Sequence, residues 1–183
     1  MTQETQSVLT PKVKAMIGVS GDVVEAWGLV DEEYLRRFAQ ALMDPDPRYW
    51  DEEFAKITHY GAIITPPIMV SYMTNRIRPD QEDPITRAFE ENPESDGIGS
   101  IERPGALPPV PTNLVRVLNA GNELEMYQYP NLGDKIYFQN RYSDIRERVG
   151  REGNPFLIVT VETSYRNQRD ELLCITRQSS IRR

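Results

Sequence analysis

The chain has 183 residues, and its 21 lysines and arginines against 28 aspartates and glutamates give a formal net charge of -7. A predominantly negative surface repels nucleic-acid phosphates and anionic lipid headgroups, so we expect neither a nucleic acid nor a membrane as a partner. One cysteine and one histidine exclude an internal disulfide and the common zinc sites. We therefore expect a single-domain protein of the reducing cytoplasm, without a structural metal.

The first predicted element is an amphipathic helix over residues 31–43. Asp31 is a suitable N-cap, acidic residues follow in the first turn, and Leu35, Phe38 and Leu42 recur at helical spacing. The Asp-Pro pairs that follow are expected to end this helix, because a residue before proline disfavours helical backbone.

A second helix is predicted in the segment TPPIMVSYMTNRI, which begins at Thr65. Thr65 can act as its N-cap, and prolines are tolerated in a first turn, where no intrahelical N–H is needed. Apolar residues occupy several faces of this helix, which is typical of a buried helix.

Residues 78–111 form a predicted insertion between the helices and the rest of the domain. The segment is rich in proline, glycine and acidic residues, and only residues 85–89 resemble a helix. A connection of this length inside a compact domain is typical of a lid, a subunit contact or a mobile loop. The sequence leaves these three alternatives open.

Strand-like runs follow the insertion, at residues 113–120, 123–130, 134–145, 156–167 and 171–183. Their β-branched and aromatic residues favour strands, and the polar turn NQRD joins the last two runs. Helices followed by antiparallel strands indicate the α+β class. A buried helix with about five antiparallel strands predicts a hot-dog fold, in which an antiparallel sheet wraps around a central helix, as one domain over residues 1–183.

The stretch DPDPRYWDEEFA, residues 44–55, carries a family resemblance. It resembles D-x-N-P-x-H-x-D-x-x-F-A, the motif of the MaoC-like, R-specific enoyl-thioester hydratases and dehydratases. The matching positions are Asp44, Pro47, Asp51, Phe54 and Ala55.

The resemblance extends over nearly the whole chain from about Lys12. Residues 60–73, YGAIITPPIMVSYM, are similar to the start of that family's hot-dog helix. Residues 119–148 and 159–183 are similar to the N-terminal, FAS1-like dehydratase branch of the family. The combination is more specific than any one of these segments.

The resemblance implies an acyl thioester of coenzyme A or of an acyl carrier protein as ligand, and reversible addition of water to its conjugated double bond. In the family, the motif Asp and His handle the water and the proton, while a backbone N–H at the start of the hot-dog helix binds the thioester carbonyl. No cofactor is implied, since coenzyme A is part of the substrate. The catalytic positions carried onto this sequence are Asp44 and Tyr49. The substrate-binding positions are Asp46, Tyr60, Gly61, Ile63, Pro66, Pro67, Ile68, Met69 and Met73.

This sequence departs from the family pattern at its catalytic positions. Tyr49 stands in place of the motif histidine, and a phenol with an ordinary pKa of about 10 is a poor proton shuttle at neutral pH. Asp46 stands in place of the motif asparagine. Pro66 and Pro67 stand in place of a His-Gly pair and lack a backbone N–H, so Ile68 is the next residue that can supply the oxyanion donor.

The family pairs two hot-dogs side by side, and often only one of them carries the Asp-His pair. Because one hot-dog fills this chain, the resemblance implies a separate catalytic MaoC-like subunit as partner. The leading hypothesis is a subunit of a heteromeric enoyl-CoA hydratase that shapes the acyl pocket and the assembly. The alternatives are a homodimeric hydratase that uses Asp44 with Tyr49 or water, a non-enzymatic acyl-thioester binding module, and a hot-dog thioesterase. Fatty acyl, aromatic-acid and steroid side-chain thioesters all remain open as the acyl group.

Each candidate residue also has a structural interpretation. Asp44 can bond local backbone N–H groups at the end of a helix. Tyr49 and Trp50 can pack as an aromatic pair, and the sole histidine, His59, is more often structural than functional. Cys174 lies in an apolar strand, where an inert buried thiol is expected.

Overall fold

The computed structural model describes residues 6–74, 78, 80, 83–94 and 105–183. The strands in these residues are β1 (Val24–Leu29), β2 (Val117–Met126), β3 (Lys135–Val149), β4 (Pro155–Asn167) and β5 (Leu172–Arg182). The α-helices are α1 (Pro11–Lys14), α2 (Glu32–Leu42), α3 (Glu52–Ile57), α4 (Met69–Met73) and α5 (Pro84–Glu91), and a 3-10 helix spans Pro47–Tyr49. The strands form one antiparallel sheet in the order β1-β3-β4-β5-β2.

The strands of the sheet differ from the predicted runs at two places. The runs at 113–120 and 123–130 form a single strand, β2, because Gly121, with φ 126°, makes a bulge in the pairing with β5 and not a turn. Strand β1 was not predicted from the sequence. It is short and contains Gly28, so its strand pattern is weak.

Helix α2 begins as the sequence predicts. The Asp31 carboxylate accepts a hydrogen bond of 2.8 Å from the Tyr34 backbone N–H, and Leu35 is buried. The helix ends at Met43, which adopts the left-handed conformation with φ 55°. Leu42 is 48% exposed, so the predicted apolar stripe ends one turn before the helix does.

Helix α4 is the central helix, but it begins later than predicted. Its first residue is Met69, its N-cap Ile68 makes no side-chain capping bond, and the buried Thr65 hydroxyl has no partner among the described residues. The prediction of Thr65 as N-cap was therefore wrong, because the chain stays non-helical through the two prolines. Met69, Val70 and Met73 are fully buried, while Tyr72 on the opposite face is exposed, so the helix is buried on one face and not all round.

The sheet packs on α4 with one face, which we call the inner face. Phe138 and Tyr165, directly paired across β3 and β4, lie in the same apolar cluster as Met69 and Met73. An antiparallel sheet around a buried central helix is the predicted hot-dog fold, which is confirmed. No helix in the described ranges is both long enough and apolar enough to cross a bilayer.

A second apolar cluster covers the far end of the inner face. Its sheet residues are Tyr142, Ile145, Leu157 and Val159, and the N-terminal segment covers them with the buried Val13. Glu147 anchors this segment, because its Oε2 accepts hydrogen bonds from the Ser7 hydroxyl at 2.8 Å, the Val8 N–H at 2.6 Å and the Leu9 N–H at 2.9 Å.

Part of the predicted insertion packs on the same face. The Asn140 amide donates to the Gly105 carbonyl at 2.8 Å, and the Tyr142 hydroxyl donates to the Pro108 carbonyl at 2.9 Å. Gly105 has φ 70° and lies so close to Phe138 that a Cβ would be 3.2 Å from its ring. Helix α5 contains the helical stretch predicted at residues 85–89. The rest of the insertion, and with it the predicted lid role, lies outside the described residues.

We predict that Glu147→Ala releases the N-terminal segment. The Ser7 hydroxyl and the Leu9 and Val8 N–H groups hold the pKa of Glu147 below its ordinary value. A lowered folded-state pKa means that the anchor is intact above the ordinary carboxyl pKa and is lost as the pH falls through the lowered one. Hydrogen exchange should become roughly tenfold faster at the Val8 and Leu9 amides in the variant.

The matched control for this experiment is Glu152→Ala. Glu152 is an exposed acid in the turn that follows β3. The control should leave the exchange of the N-terminal amides unchanged, and equal exchange in Glu147→Ala and the native chain would contradict the anchor.

Candidate functional site

Asp44, the first residue of the motif, takes part in local backbone hydrogen bonds at the end of α2. Its Oδ1 accepts from the Asp46 N–H at 3.2 Å, and its own N–H donates to the Ala39 carbonyl at 3.1 Å. Its side chain is half-buried and also lines a surface hollow. The position therefore fits the structural interpretation and still leaves the carboxylate accessible.

Asp46 is paired with Arg48. The Arg48 Nε lies 3.0 and 2.9 Å from the two Asp46 carboxylate oxygens, and Nη2 bonds the same carboxylate. Asp46 also accepts from the Arg48 backbone N–H at 3.0 Å and so caps the 3-10 helix. The guanidinium bonds, followed by the backbone bond, hold the pKa of Asp46 below its ordinary value. The motif asparagine is thus replaced by an ionised carboxylate held by its own neighbour.

Tyr49, at the position of the motif histidine, belongs to the core. It is only 7% exposed and lies in the apolar cluster of Met69, Met73 and Tyr165. Burial, followed by the nearby charges of Asp44 and Asp46, raises the pKa of the Tyr49 hydroxyl above its ordinary value. The side chain therefore stays neutral at physiological pH: it is a weaker acid than an ordinary tyrosine, and it lacks the basic nitrogen with which a histidine accepts a proton.

The loop before α4 is attached to the motif and carries an aromatic stack. The Ile64 N–H donates to the Arg48 carbonyl at 3.2 Å. Tyr60 lies between His59, at a ring distance of 3.7 Å, and Tyr129, at 5.1 Å. Burial, and then a hydrogen bond with Tyr60, raises the pKa of Tyr129.

Two surface hollows flank this aromatic stack. One, of about 530 Å³, is lined by Asp44, Asp46, Arg48, Phe54 and His59, among others. The other, of about 640 Å³, is lined by residues of the 59–64 loop and of the 126–131 segment, with Arg169 and Glu171. His59 and Tyr60 line both hollows. The only histidine of the chain therefore shares a hollow with Asp44.

The start of α4 offers one backbone donor. The Met69 N–H is used, because it donates to the Pro66 carbonyl at 3.0 Å, and Pro66 and Pro67 have no N–H. No described residue accepts a hydrogen bond from the Ile68 N–H. Ile68 is thus the residue that can offer a backbone N–H to a thioester carbonyl oxygen.

Ile68 also lines a cavity of about 710 Å³ between α4 and the inner face of the sheet. Helix residues on its wall include Ser71, Tyr72 and Thr74, and Leu107 of the predicted insertion closes part of it. Its sheet residues are Asn122, Glu123, Leu124, Phe138, Asn140, Tyr142, Val161, Thr163, Tyr165, Thr176 and Gln178. The volume lies in the range of small-molecule sites in proteins.

The structure separates the residues that the family resemblance assigns to one site. Ile68 lines the inner cavity, whereas Asp44, Asp46, Tyr60 and Ile63 line the surface hollows.

Of the other assigned positions, Tyr49, Met69 and Met73 lie in the core. Gly61, with φ 70°, and the two prolines line none of these three spaces. Among the described residues, no group of three or more His, Cys, Asp and Glu side chains is arranged to hold a metal ion.

The polar residues of the cavity wall were not predicted from the sequence. Asn140, Thr163 and Thr176 face the cavity from three neighbouring strands. A signal for two of them exists in the sequence, since Asn140 and Thr163 each occupy an inward position in an alternating strand between apolar residues, whereas Thr176 lies between Cys174 and Gln178. Recognising it requires the pairing register of three strands, which the sequence alone does not provide.

Strand β2 forms an exposed edge of the sheet. Among the described strands it pairs with β5 alone, and all of its residues except the half-buried Met126 are exposed. Val117, Leu118 and Leu124 contribute apolar surface to this edge. A long, partly apolar edge strand is a surface on which another strand can pair.

We predict that Arg48→Gln raises the carboxyl pKa of Asp46 toward its ordinary value of about 3.9. The lowered pKa means that the Asp46 contribution to folding is present above the ordinary carboxyl pKa and is lost as the pH falls through the lowered value. Carboxyl titration by NMR measures the change. Arg37→Gln, which removes one of the two arginine partners of Glu33 on α2, is the control and should leave Asp46 unchanged. An unshifted Asp46 in Arg48→Gln would show that the pair does not set its pKa.

Three solved structures share this fold. The ChsH1-ChsH2 complex from Mycobacterium tuberculosis aligns with a TM-score of 0.66 at 14% identity, over 93% of this chain and 86% of that chain. A MaoC-like dehydratase from Rhodospirillum rubrum aligns with a TM-score of 0.57 at 20% identity, over 91% and 93%. The HadBC (3R-hydroxyacyl-ACP dehydratase) complex from M. tuberculosis aligns with a TM-score of 0.57 at 18% identity, over 91% and 96%.

Family membership is shown by the sequence itself. The sequence matches no curated protein. The family model of the FAS1-like, dehydratase domain region matches residues 15–176, which is most of the chain. This chain therefore belongs to the FAS1-like dehydratase domain family.

Proposed function

We propose that this chain is a subunit of a heteromeric enoyl-CoA hydratase, in which it contributes the acyl pocket and the assembly surface while a MaoC-like partner supplies the working Asp-His pair. The observation that carries the proposal is the position of Tyr49. In the resemblance to the family motif this residue aligns with the proton-transferring histidine, and its neutral phenol is packed in the core. Hydration needs a group that gains and loses a proton near neutral pH, which this position does not provide.

The start of α4 and the cavity behind it suit an acyl thioester. A thioester carbonyl placed at the Ile68 N–H would have its developing negative charge stabilised by a hydrogen bond. From there the cavity extends between α4 and the sheet, and the acyl group would lie in it. In this proposal Met69 and Met73 support the helix from the core side and do not touch the substrate.

The edge strand β2 is the surface proposed for the partner. Its exposed backbone and its apolar residues Val117, Leu118 and Leu124 can continue the sheet into a second hot-dog. Two structures of the same fold are, by their own descriptions, complexes: ChsH1-ChsH2 and HadBC. Asn122, Glu123 and Leu124 belong both to β2 and to the cavity wall, so a partner at this edge would also border the pocket.

One observation favours a second candidate, a hydratase that is active without a heterologous partner. Asp44 and His59 line the same hollow of about 530 Å³. His59 is exposed and stacked on Tyr60, so its imidazole is accessible. In this alternative His59 replaces the missing motif histidine as the proton-transferring group, with Asp44 as its companion.

We expect the chain alone to hydrate enoyl-CoA thioesters no faster than the uncatalysed background, and to be part of an active complex when co-expressed with a hot-dog subunit that carries an intact Asp-His pair. Loss of the absorbance of the conjugated enoyl thioester measures the rate. Because Tyr49 is a packing residue in this proposal, Tyr49→Phe should keep the activity of the complex within about twofold.

The variants Asp44→Asn and His59→Asn of this chain decide between the two candidates. In the heteromeric proposal neither changes the rate of the complex by more than about twofold, since both residues lie outside the working pair. Hydration by the chain alone that is abolished in both variants would overturn the heteromeric proposal in favour of the second candidate.

We also expect Leu118→Glu to weaken the assembly. Leu118 is 42% exposed on β2, so the substitution leaves the folded chain intact but places a charge in the proposed contact. Leu42→Glu, at a similarly exposed leucine that ends α2, is the matched control. Size-exclusion chromatography with light scattering should show loss of the complex only with Leu118→Glu; an unaffected complex would place the partner elsewhere.

A further inference from the structure

Along β3 and β4 the inner face of the sheet is polar in its middle and apolar on both sides, and on β5 the polar character continues from Thr176 to Gln178. Asn140, Thr163 and Thr176 are paired directly across β3, β4 and β5, and we call them the polar row. On one side of it, Phe138 and Tyr165 belong to the apolar cluster under α4. On the other side, the second apolar cluster begins with Tyr142, Val161 and Val159.

Polar side chains at inward positions of a sheet are costly unless they find hydrogen-bond partners. The polar row has some: Asn140 donates to the Gly105 carbonyl at 2.8 Å, Thr163 donates to the Asn140 Oδ1 at 2.7 Å, and Thr176 bonds the Tyr165 hydroxyl at 3.3 Å. All three side chains of the row line the cavity. Apolar side chains are the usual choice at such inward positions. The presence of three polar ones therefore indicates a role in contacting a ligand in the cavity and not in core packing.

The polar row has hydrogen-bonding capacity left for a ligand. The Asn140 amide has a second N–H to donate, and the threonine oxygens have lone pairs that can accept. The opposite wall adds acceptors, because the Ser71 hydroxyl donates to the Ile68 carbonyl at 2.7 Å and the Thr74 hydroxyl to the Ser71 carbonyl at 2.7 Å, which leaves their lone pairs toward the cavity. The cavity can therefore both donate to and accept from one ligand group.

The charge of the wall limits what that group can be. Glu123 is the only carboxylic side chain among the described residues of the cavity wall, and no lysine, arginine or histidine is among them. The residues of the wall would therefore offer no direct counter-charge to a carboxylate or phosphate buried at the polar row. A neutral hydroxyl or ketone can hydrogen-bond to the polar row without the cost of burying an uncompensated charge.

We infer that the cavity selects acyl groups that carry a neutral oxygen substituent, a hydroxyl or a ketone, at a distance from the thioester, over unsubstituted alkyl chains. This inference rests on the proposed function, since it takes the ligand to be an acyl thioester held at Ile68. An unsubstituted chain would displace water from the polar row and leave its N–H and oxygen groups unpaired, whereas an oxygenated chain replaces the water with hydrogen bonds.

The test compares three saturated probes, which bind without turnover: decanoyl-CoA, a decanoyl-CoA with a hydroxyl in the middle of the chain, and ω-hydroxydecanoyl-CoA. Isothermal titration calorimetry measures their affinity for the full-length chain, alone and with its hot-dog partner. We expect one of the hydroxylated probes to bind about fivefold or more tightly than decanoyl-CoA, as one added hydrogen bond in a buried site allows.

The double variant Asn140→Leu/Thr163→Val replaces two of the three residues of the polar row, including its amide N–H donor, with apolar side chains of similar volume. It should lose the preference for the hydroxylated probe and bind decanoyl-CoA at least as tightly as before, which also shows that the cavity is folded. Thr160→Val is the matched control, because Thr160 lies on the same strand but bonds Ser179 at 3.0 Å on the outer face. The control should keep the preference.

The outcomes separate the inference from the function on which it rests. Equal binding of all three probes, or a preference that survives in the double variant, overturns the inference while acyl-thioester binding stands. Binding of none of the probes, alone or with the partner, overturns the acyl-thioester function and the inference together.

Discussion

The covering of the inner face of the sheet is the constraint on which the rest of the structure depends. Strand β3 has 15 residues and extends about 50 Å, whereas the described α4 has five residues and a length of about 7.5 Å. One short helix cannot bury so long a sheet. The N-terminal segment, anchored on Glu147, and Leu107 with Val110 cover the far end instead. The cavity is the part of the face that lies between these two coverings.

The need to cover the inner face also explains why Tyr49 is better suited to packing in the core than to a catalytic role. An aromatic side chain of this size contributes roughly 1.5–3 kcal/mol when it is fully buried, and Tyr49 contributes its ring to the cluster that holds α4. The ion pair of Asp46 and Arg48 and the bond from Ile64 to the Arg48 carbonyl keep the motif loop in place around it. The positions of Arg48 and Tyr49 in this loop therefore have a structural role in the core.

Short-range sequence patterns predicted helix caps and turns correctly in most cases. Features that depend on strand pairing could not be predicted from such patterns. The Asp31 cap of α2 could be predicted because its hydrogen bond spans only three residues. The NQRD turn between β4 and β5 could be predicted because it is equally local. Thr65 was a plausible cap by spacing, but the two prolines move the helix start to Met69. The fold followed from the order of elements and the family resemblance. The polar row was not visible, because Asn140 and Thr176 are 36 positions apart in the sequence and meet only through strand pairing.

The proposed assembly and the proposed substrate selection would both involve β2. Leu124 of β2 is paired with Thr176, the β5 member of the polar row. The cross-strand line of the polar row therefore reaches the exposed edge strand. A partner that pairs along this edge would cover Asn122 and Glu123 and thereby complete a cavity wall that this chain leaves partly open. Exclusion of water from the polar row strengthens each hydrogen bond that a ligand makes there, because the local dielectric constant falls. In the proposed complex, discrimination between oxygenated and plain acyl chains should therefore be sharper than in the isolated chain.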